Sequence, residues 1–301
     1  MWSTVLKFGL MYAGALFGLV LPRSVQERIV RSGVGLFVRR MAGPRQALEA
    51  NFRTAWNGAL TEEEIRERVR AVFENYAYYL ADYMGIPFRA REKTLALIGE
   101  VRGAEFVHEA HERGRGLIFV GPHVGNWELA GFLMRGFDCP VHALSIRDPH
   151  PSMEKFRAKF REREGIRMIF VGPESNMDGM MKIQAALGKN EAVAMLGDRL
   201  YMGKTYTAPF FGRDVKFPAG PLHIAALTGA TIVPFVAVRE GERYCAVMSE
   251  GIEVPDPLPD TVDAAGAKLA ASFEAYVRAY PEQWYNFHPV FDDAVVTPYS
   301  W

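Results

Sequence analysis

Only two cysteines, Cys139 and Cys245, occur in the 301 residues, and they stand far apart. That excludes a disulfide framework and a cysteine-based metal knuckle, and it suits a reducing compartment. Charge of either sign is not in excess, because 35 Lys and Arg face 35 Asp and Glu. No global field draws the chain to nucleic acid, and any basic surface must be local. A Gly-x-Ser-x-Gly elbow is missing, and so is a His-Glu-x-x-His zinc helix. The nearest approach to a P-loop, Met202-Gly203-Lys204-Thr205, fails on spacing. Gly197 and Gly203 enclose five residues where that motif needs four. Internal repeats and low-complexity tracts are absent too, and nothing calls for a metal or a resident cofactor.

Long apolar sequence is scarce, with one exception at the N-terminus. Phe8 to Pro22 contains no charge, yet it is shorter than the roughly 20 residues a membrane span usually needs. Arg23, Arg28, Arg31, Arg39, Arg40 and Arg45 follow it. Residues 1–22 therefore read as a hydrophobic anchor helix that lies in a membrane interface, with a true span or a buried soluble helix as the alternatives. The arginines behind it predict that the body of the protein lies on the cytoplasmic side of the membrane. Residues 23–90 read as a helical region. Within it, Thr61-Glu62-Glu63-Glu64 marks a helix start, with Thr61 as N-cap and Glu64 completing a capping box. That helix, running to about Met84, carries Phe73, Tyr76, Tyr78, Tyr79 and Tyr83, a cluster expected to pack against the next layer.

From about residue 97 the texture changes. Apolar runs at 117–120, 140–145, 167–171, 192–196, 231–238 and 244–248 read as strands. Helical patterns at 103–113, 127–136, 151–164, 177–187, 219–228 and 261–279 lie between or after them. The alternation predicts an α/β domain over 91–301, with a mostly parallel central sheet flanked by helices. Sites in such sheets form where strand C-terminal ends meet helix N-termini. His123 is expected at one such end, and Asp198 and Arg199 at another.

The segment Gly121-Pro122-His123-Val124-Gly125-Asn126-Trp127-Glu128 carries the chemistry. In one continuous helix, residues five apart point about 140° away from each other. A strand, a turn and a helix start instead allow His123 and Glu128 to face one another. A histidine oriented by a carboxylate is a general base poised near neutral pH. The spacing alone is weak, since seven histidines and 35 acids in 301 residues give about one chance match. His288 and Asp293 supply such a match in a C-terminal loop read as structural. Gly121, Pro122 and Gly125, as loop residues that permit close backbone approach, favour His123. With no nucleophile in evidence, His123 activates a hydroxyl of the substrate, which points to group transfer. Residues 151–167 are locally basic, either as a solvated helix face or as a patch for anionic lipid or an acidic carrier. Arg147, after a strand end, is the better single candidate for an anion contact.

These residues resemble a known family. His123-Val-Gly-Asn-Trp-Glu128 is similar to the His-x4-Asp/Glu signature of glycerolipid acyltransferases, and the longer block to that of the bacterial lipid A late acyltransferases. Ser175-Asn176, Gly179-Met180-Met181-Lys182, Gly197-Asp198-Arg199, Pro209-Phe210-Phe211-Gly212, Gly220 and Val233-Pro234 continue the pattern in order. The C-terminal end, Trp284 to Asp292, departs from it by lacking paired arginines. Related branches acylate other membrane lipids, including phosphatidylinositol mannosides. The resemblance implies a membrane-associated O-acyltransferase that takes a fatty acyl thioester, on acyl carrier protein or coenzyme A, to a lipid hydroxyl. His123 would be the base and Glu128 would hold its tautomer. Arg147, Arg199 or backbone N–H groups near Gly125 would stabilise the oxyanion. Asn126 joins Arg147, Asp198 and Arg199 as a substrate-binding candidate, although Asp198 and Arg199 fit an ion pair between loops nearly as well. A thioesterase passing the acyl group to water, and a non-catalytic carrier-binding or membrane-binding module, are the alternatives.

Overall fold

The computed structural model describes residues 20–129, 137, 139–147, 154, 158, 161, 166–172, 176–201 and 203–292. Three helices come first: α1 (Arg23–Arg40), α2 (Ala42–Ala55) and α3 (Glu62–Gly85). At the start of α3 the Thr61 hydroxyl accepts from the Glu64 N–H, and the Glu64 carboxylate accepts from the Thr61 N–H at 2.7 Å. The capping box read from the sequence is therefore present, with Glu62 and Glu63 adding charge of the favourable sign to the first turn. Leu48, Phe52, Ile65, Val69, Val72 and Phe73 bury the inner faces of these helices in one cluster.

After the short helix α4 (Arg91–Leu95), the chain enters a seven-stranded sheet. Its strands are β1 (Ile98–Arg102), β2 (Leu117–Gly121), β3 (Val141–Ser145), β4 (Arg167–Phe170), β5 (Ala192–Leu196), β8 (Thr231–Glu240) and β9 (Arg243–Met248). A separate antiparallel hairpin joins β6 (Thr205–Phe210) to β7 (Arg213–Pro218). The spatial order β1-β9-β8-β2-β5-β3-β4 is parallel throughout except for the β8–β9 hairpin. Helices α5 (Ala104–Glu112), α6 (Asn176–Leu187), α7 (Gly220–Thr228) and α8 (Pro259–Ala279) lie between or after the strands.

The central strand β2 is buried at every position, which is why its sequence is a continuous apolar run. Leu117 and Phe119 point toward a cluster with Val107 and Ala110 of α5, and Ile118 and Val120 toward one with Leu269 and Phe273 of α8. Two helical layers thus cover the two faces, as period-two alternation of side chains requires. Each such buried aliphatic or aromatic side chain contributes about 1.5–3 kcal/mol of transfer free energy.

The expected mostly parallel sheet is present, and the strands read from the sequence lie within a residue or two of those observed. Strand β1 and the β6–β7 hairpin fall outside the apolar runs read as strands. The hairpin turns through Phe211 (φ 51°) and Gly212 (φ 72°), two positive-φ residues of the kind a tight hairpin turn demands. No described helix is long and apolar enough to cross a membrane. The anchor expected over 1–22 lies outside the described residues except for Val20, Leu21 and Pro22. Most of the helices expected over 127–136 and 151–164 lie outside them as well.

Candidate active site

Strands β2 and β5 are parallel neighbours in strict register, with Gly121 opposite Leu196. The Gly197 N–H then reaches the Gly121 carbonyl at 2.9 Å. His123 lies two residues past the end of β2, and Asp198 two residues past the end of β5. The sheet therefore delivers both side chains to the same carboxyl edge. The Asp198 Oδ1 lies 2.5 Å from His123 Nδ1, and its Oδ2 accepts from the His123 backbone N–H at 2.8 Å. One carboxylate thus fixes both the ring and the main chain of the histidine. Both side chains are more than nine-tenths buried.

The loop after His123 is shaped by two turns. The Val124 N–H bonds back to the Pro122 carbonyl at 2.7 Å. Gly125 then takes φ 70° and lies so close to β8 that an added Cβ would stand 2.1 Å from the Ala237 carbonyl oxygen. The Asn126 N–H donates to that same carbonyl at 2.6 Å. Close approach was the sequence argument for glycine here, and Gly125 requires it.

Glu128 does not take the place expected of it. Its carboxylate accepts from Arg161, at 2.8 Å from Nη2 and 3.3 Å from Nε, in a pair about nine-tenths buried on each side. The carboxylate at the imidazole is Asp198. The physical reason is that the five-residue spacing spans the Gly125 turn and the Asn126 cap, whereas sheet register brings residue 198 directly beside residue 123. The sequence makes Asp198 a candidate substrate contact or one half of an ion pair between loops. It pairs instead with the histidine.

Electrostatics follow the geometry. Burial pushes the His123 pKa below the usual 6.5, the nearby Arg199 charge pushes the same way, and Asp198 opposes both. Burial alone would raise the Asp198 carboxyl, but His123 and Arg199 overcome it and hold the group below its ordinary value. The arrangement is an ionised acid against a neutral imidazole. Nδ1 carries the proton toward Asp198, and Nε2 is the basic nitrogen.

The other expected residues divide. Arg199 spends its guanidinium on the C-terminal segment, with Nη2 donating to the Tyr285 carbonyl at 2.6 Å and Nε to Asn286 Oδ1 at 3.3 Å. Asn126 is fully buried; its Oδ1 accepts from the Leu129 N–H at 3.3 Å, and its Nδ2 has no partner among the described residues. Arg147 is exposed on the same carboxyl edge, its guanidinium 4.2 Å from the Phe170 ring centre at the end of β4. Of the basic stretch, Arg161 and Arg167 are described, and Lys155, Arg157, Lys159 and Arg163 lie outside. His288 is half-buried, and burial, Arg199 and His123 together push it down to about 4. Its loop is thus a neighbour of the site, while Asp293 lies outside the described residues.

The aromatic cluster of α3 packs as expected, and against this region. Tyr79 meets Trp127 at 4.9 Å and Tyr285 at 5.8 Å, and the Trp127 ring stands 5.1 Å from the His123 ring. Sequence reasoning missed Arg161 as the partner of Glu128, and it missed the C-terminal segment as a wall of the site. Adjacency of β2 and β5 was the signal needed to pair His123 with Asp198, and only the strand order supplies it.

The ordered blocks around this buried pair match the bacterial lipid A biosynthesis acyltransferases, whose pattern covers residues 3–292. The chain belongs to that family. As a lipid A biosynthesis-type acyltransferase it is an enzyme of acyl transfer and lipid biosynthesis. It is 25% identical over 287 residues to a phosphatidylinositol mannoside acyltransferase of Mycolicibacterium smegmatis, covering 92% of this chain and 90% of that one. It is 26% identical over 297 residues to a lipid A biosynthesis lauroyltransferase of Escherichia coli, covering 95% and 90%. A palmitoleoyltransferase of the same organism is 28% identical over 193 residues, covering 63% and 60%. At this level of identity, two kinds of lipid acceptor appear among the relatives' names within one family.

Proposed function

We propose that this acyltransferase moves a fatty acyl chain from a thioester, on acyl carrier protein or coenzyme A, to a hydroxyl of a membrane glycolipid or lipid A precursor. The observation that carries the reading is the buried His123–Asp198 pair at the carboxyl edge of the sheet. His123 Nε2 removes the acceptor hydroxyl proton as that oxygen bonds to the thioester carbonyl carbon. The tetrahedral intermediate then collapses with cleavage of the C–S bond. The proton held on Nε2 passes to the departing thiolate, and the base is restored. Asp198 keeps the proton on Nδ1 and stabilises the transient imidazolium, the role a buried carboxylate plays beside a catalytic histidine. A positioned base of this kind is worth about 10²–10⁴ in rate. Arg147, exposed on the same edge, is the candidate donor toward the anionic groups of donor or acceptor.

The enzyme works at a membrane surface, on the cytoplasmic face of the inner membrane. Val25, Ile29 and Leu36 are exposed on α1 at spacings of four and seven, which puts them on one helix face. Arg28, Arg31, Arg39 and Arg40 are exposed on the same helix. An apolar stripe among arginines suits the interface of an anionic bilayer.

Lipid mass spectrometry of the host with and without the protein identifies the acceptor, as the lipid class that loses one acyl chain. With the purified protein, His123→Ala should abolish transfer while circular dichroism stays unchanged. Near wild-type transfer by that variant sinks the mechanism. Acyl release that proceeds equally without any lipid would make the enzyme a thioesterase.

A further inference from the structure

The segment from Gln283 to Val290 has almost no secondary structure of its own, yet it runs against the loop that carries His123. The Gly125 N–H donates to the Gln283 carbonyl at 3.0 Å, and Trp284 bridges to Val124. The Tyr285 N–H donates to the carbonyl of His123 itself at 2.8 Å. Arg199, the residue after Asp198, holds the Tyr285 carbonyl and the Asn286 side chain. This strap therefore touches the backbone of the base on one side and the neighbour of the acid on the other.

Three further main-chain groups of the strap bond to one distant side chain. Asn51, on α2, is 1% exposed. Its Nδ2 donates to the carbonyls of Asn286 at 3.0 Å and His288 at 2.8 Å, and its Oδ1 accepts from the Val290 N–H at 2.9 Å. Three of the four hydrogen bonds an asparagine offers are thus spent on the main chain of the strap. They cross 235 to 239 residues of sequence. Buried backbone groups outside a helix or sheet need such partners.

We propose that Asn51 is a positioning residue for acyl transfer: by pinning the strap from the N-terminal helices, it holds the His123 main chain and Arg199 in place around the pair that sheet register brings together. The proposal rests on the reading of His123 as the base. Apolar packing around Asn51 already joins Phe52, Tyr285 and Phe287 in one cluster, so attachment of the strap alone does not need an amide. What the amide adds is direction, by fixing which carbonyls face α2 and therefore which N–H faces His123. A displacement of about 1 Å in a catalytic group costs on the order of 10² in rate.

The test follows the His123 imidazole by NMR in full-length protein labelled with ¹³C-histidine, its signal assigned by disappearance in His123→Ala. The groups facing that ring are Asp198 and Arg199 after β5, His288 from the strap, and Trp127. Releasing the strap admits water and frees Arg199, which relaxes the two influences that hold the ring's titration low. In Asn51→Ala its midpoint should rise by about half a pH unit or more, and kcat should fall about ten- to a hundredfold with KM unchanged. The activity probes are palmitoyl-coenzyme A and lauroyl-acyl carrier protein over vesicles of the host's polar lipids. Asn286→Ala, which deletes the acceptor of the Arg199 Nε contact to the strap, should move the midpoint the same way by less, and it carries the test if Asn51→Ala does not fold. A midpoint unmoved in the folded variants, with kcat falling only as the folded fraction falls, overturns the role of Asn51. Full activity in His123→Ala would instead overturn the underlying assignment of the base.

Discussion

Asp198→Asn is the sharpest perturbation of this site, because it changes charge and donor pattern while keeping shape. In the wild-type site one oxygen faces the Nδ1–H and the other faces the His123 backbone N–H. Asparagine offers one acceptor oxygen where the site needs two. If that oxygen meets the ring, the amide nitrogen confronts the backbone N–H, donor against donor. If the amide nitrogen meets the ring instead, Nδ1 must give up its proton and Nε2 must carry one, which is the wrong tautomer for a base. Either outcome forfeits most of the roughly 10²–10⁴ that a positioned base supplies. A loss in kcat of about 10³ corresponds to about 4 kcal/mol in the barrier. The assay is steady-state acyl transfer by purified enzyme, with thermal unfolding as the control for folding. Glu128→Ala makes the comparison decisive. It breaks the buried pair with Arg161, so it should lower the unfolding free energy by about 3 kcal/mol or more while costing less in kcat per folded molecule than Asp198→Asn. The reverse order, an active Asp198→Asn and a folded but dead Glu128→Ala, would refute the assignment.

Two further outcomes follow from the geometry. Gly125→Ala combines a positive φ with a Cβ at 2.1 Å from the Ala237 oxygen. It should misplace the whole 122–126 loop, abolishing transfer and lowering the unfolding midpoint in calorimetry. The acid limb of kcat/KM, measured as a pH profile, should fall below the ordinary histidine value of 6.5, because burial and Arg199 depress the His123 pKa. By linkage the same depressed pKa destabilises the fold as pH falls below 6.5, where the unfolded chain takes up the proton that the buried ring resists.

The sequence made the sheet largely legible because its central strands are buried on both faces. Ala192 to Leu196 and Leu117 to Val120 are unbroken apolar runs, and such runs stand out from their surroundings. Strand β1, Ile98-Gly-Glu-Val-Arg, offers only two apolar residues and lies at a sheet edge half in solvent, so no pattern marks it. His123 was legible through its turn residues. Its acid was not, because the eye pairs residues close in sequence and the sheet pairs residues close in register. Glu128 looked like the partner at a distance of five residues, and Asp198 is the partner at 75. Arg161, buried against Glu128, was hidden in a run of charges that reads as a solvated face. The strap was invisible for a related reason: a segment held by one asparagine and one arginine carries no periodicity.

Delivery of His123 and Asp198 by two neighbouring strands leaves the chain beyond the 122–129 turn, outside β3, β4 and β5, freer to diverge. Loops and helices beyond that turn can lengthen, shorten or change their lining without moving His123 relative to Asp198, provided Gly121 still lies opposite Leu196. A single-residue insertion inside β5 would be far more damaging than a ten-residue insertion beyond Ser145, since a slip of one position turns every side chain of the strand to the opposite face. The reaction is thus insulated from the choice of lipid. Grafting the span between these two strands from a relative with a different acceptor is a rational route to altering what the enzyme acylates.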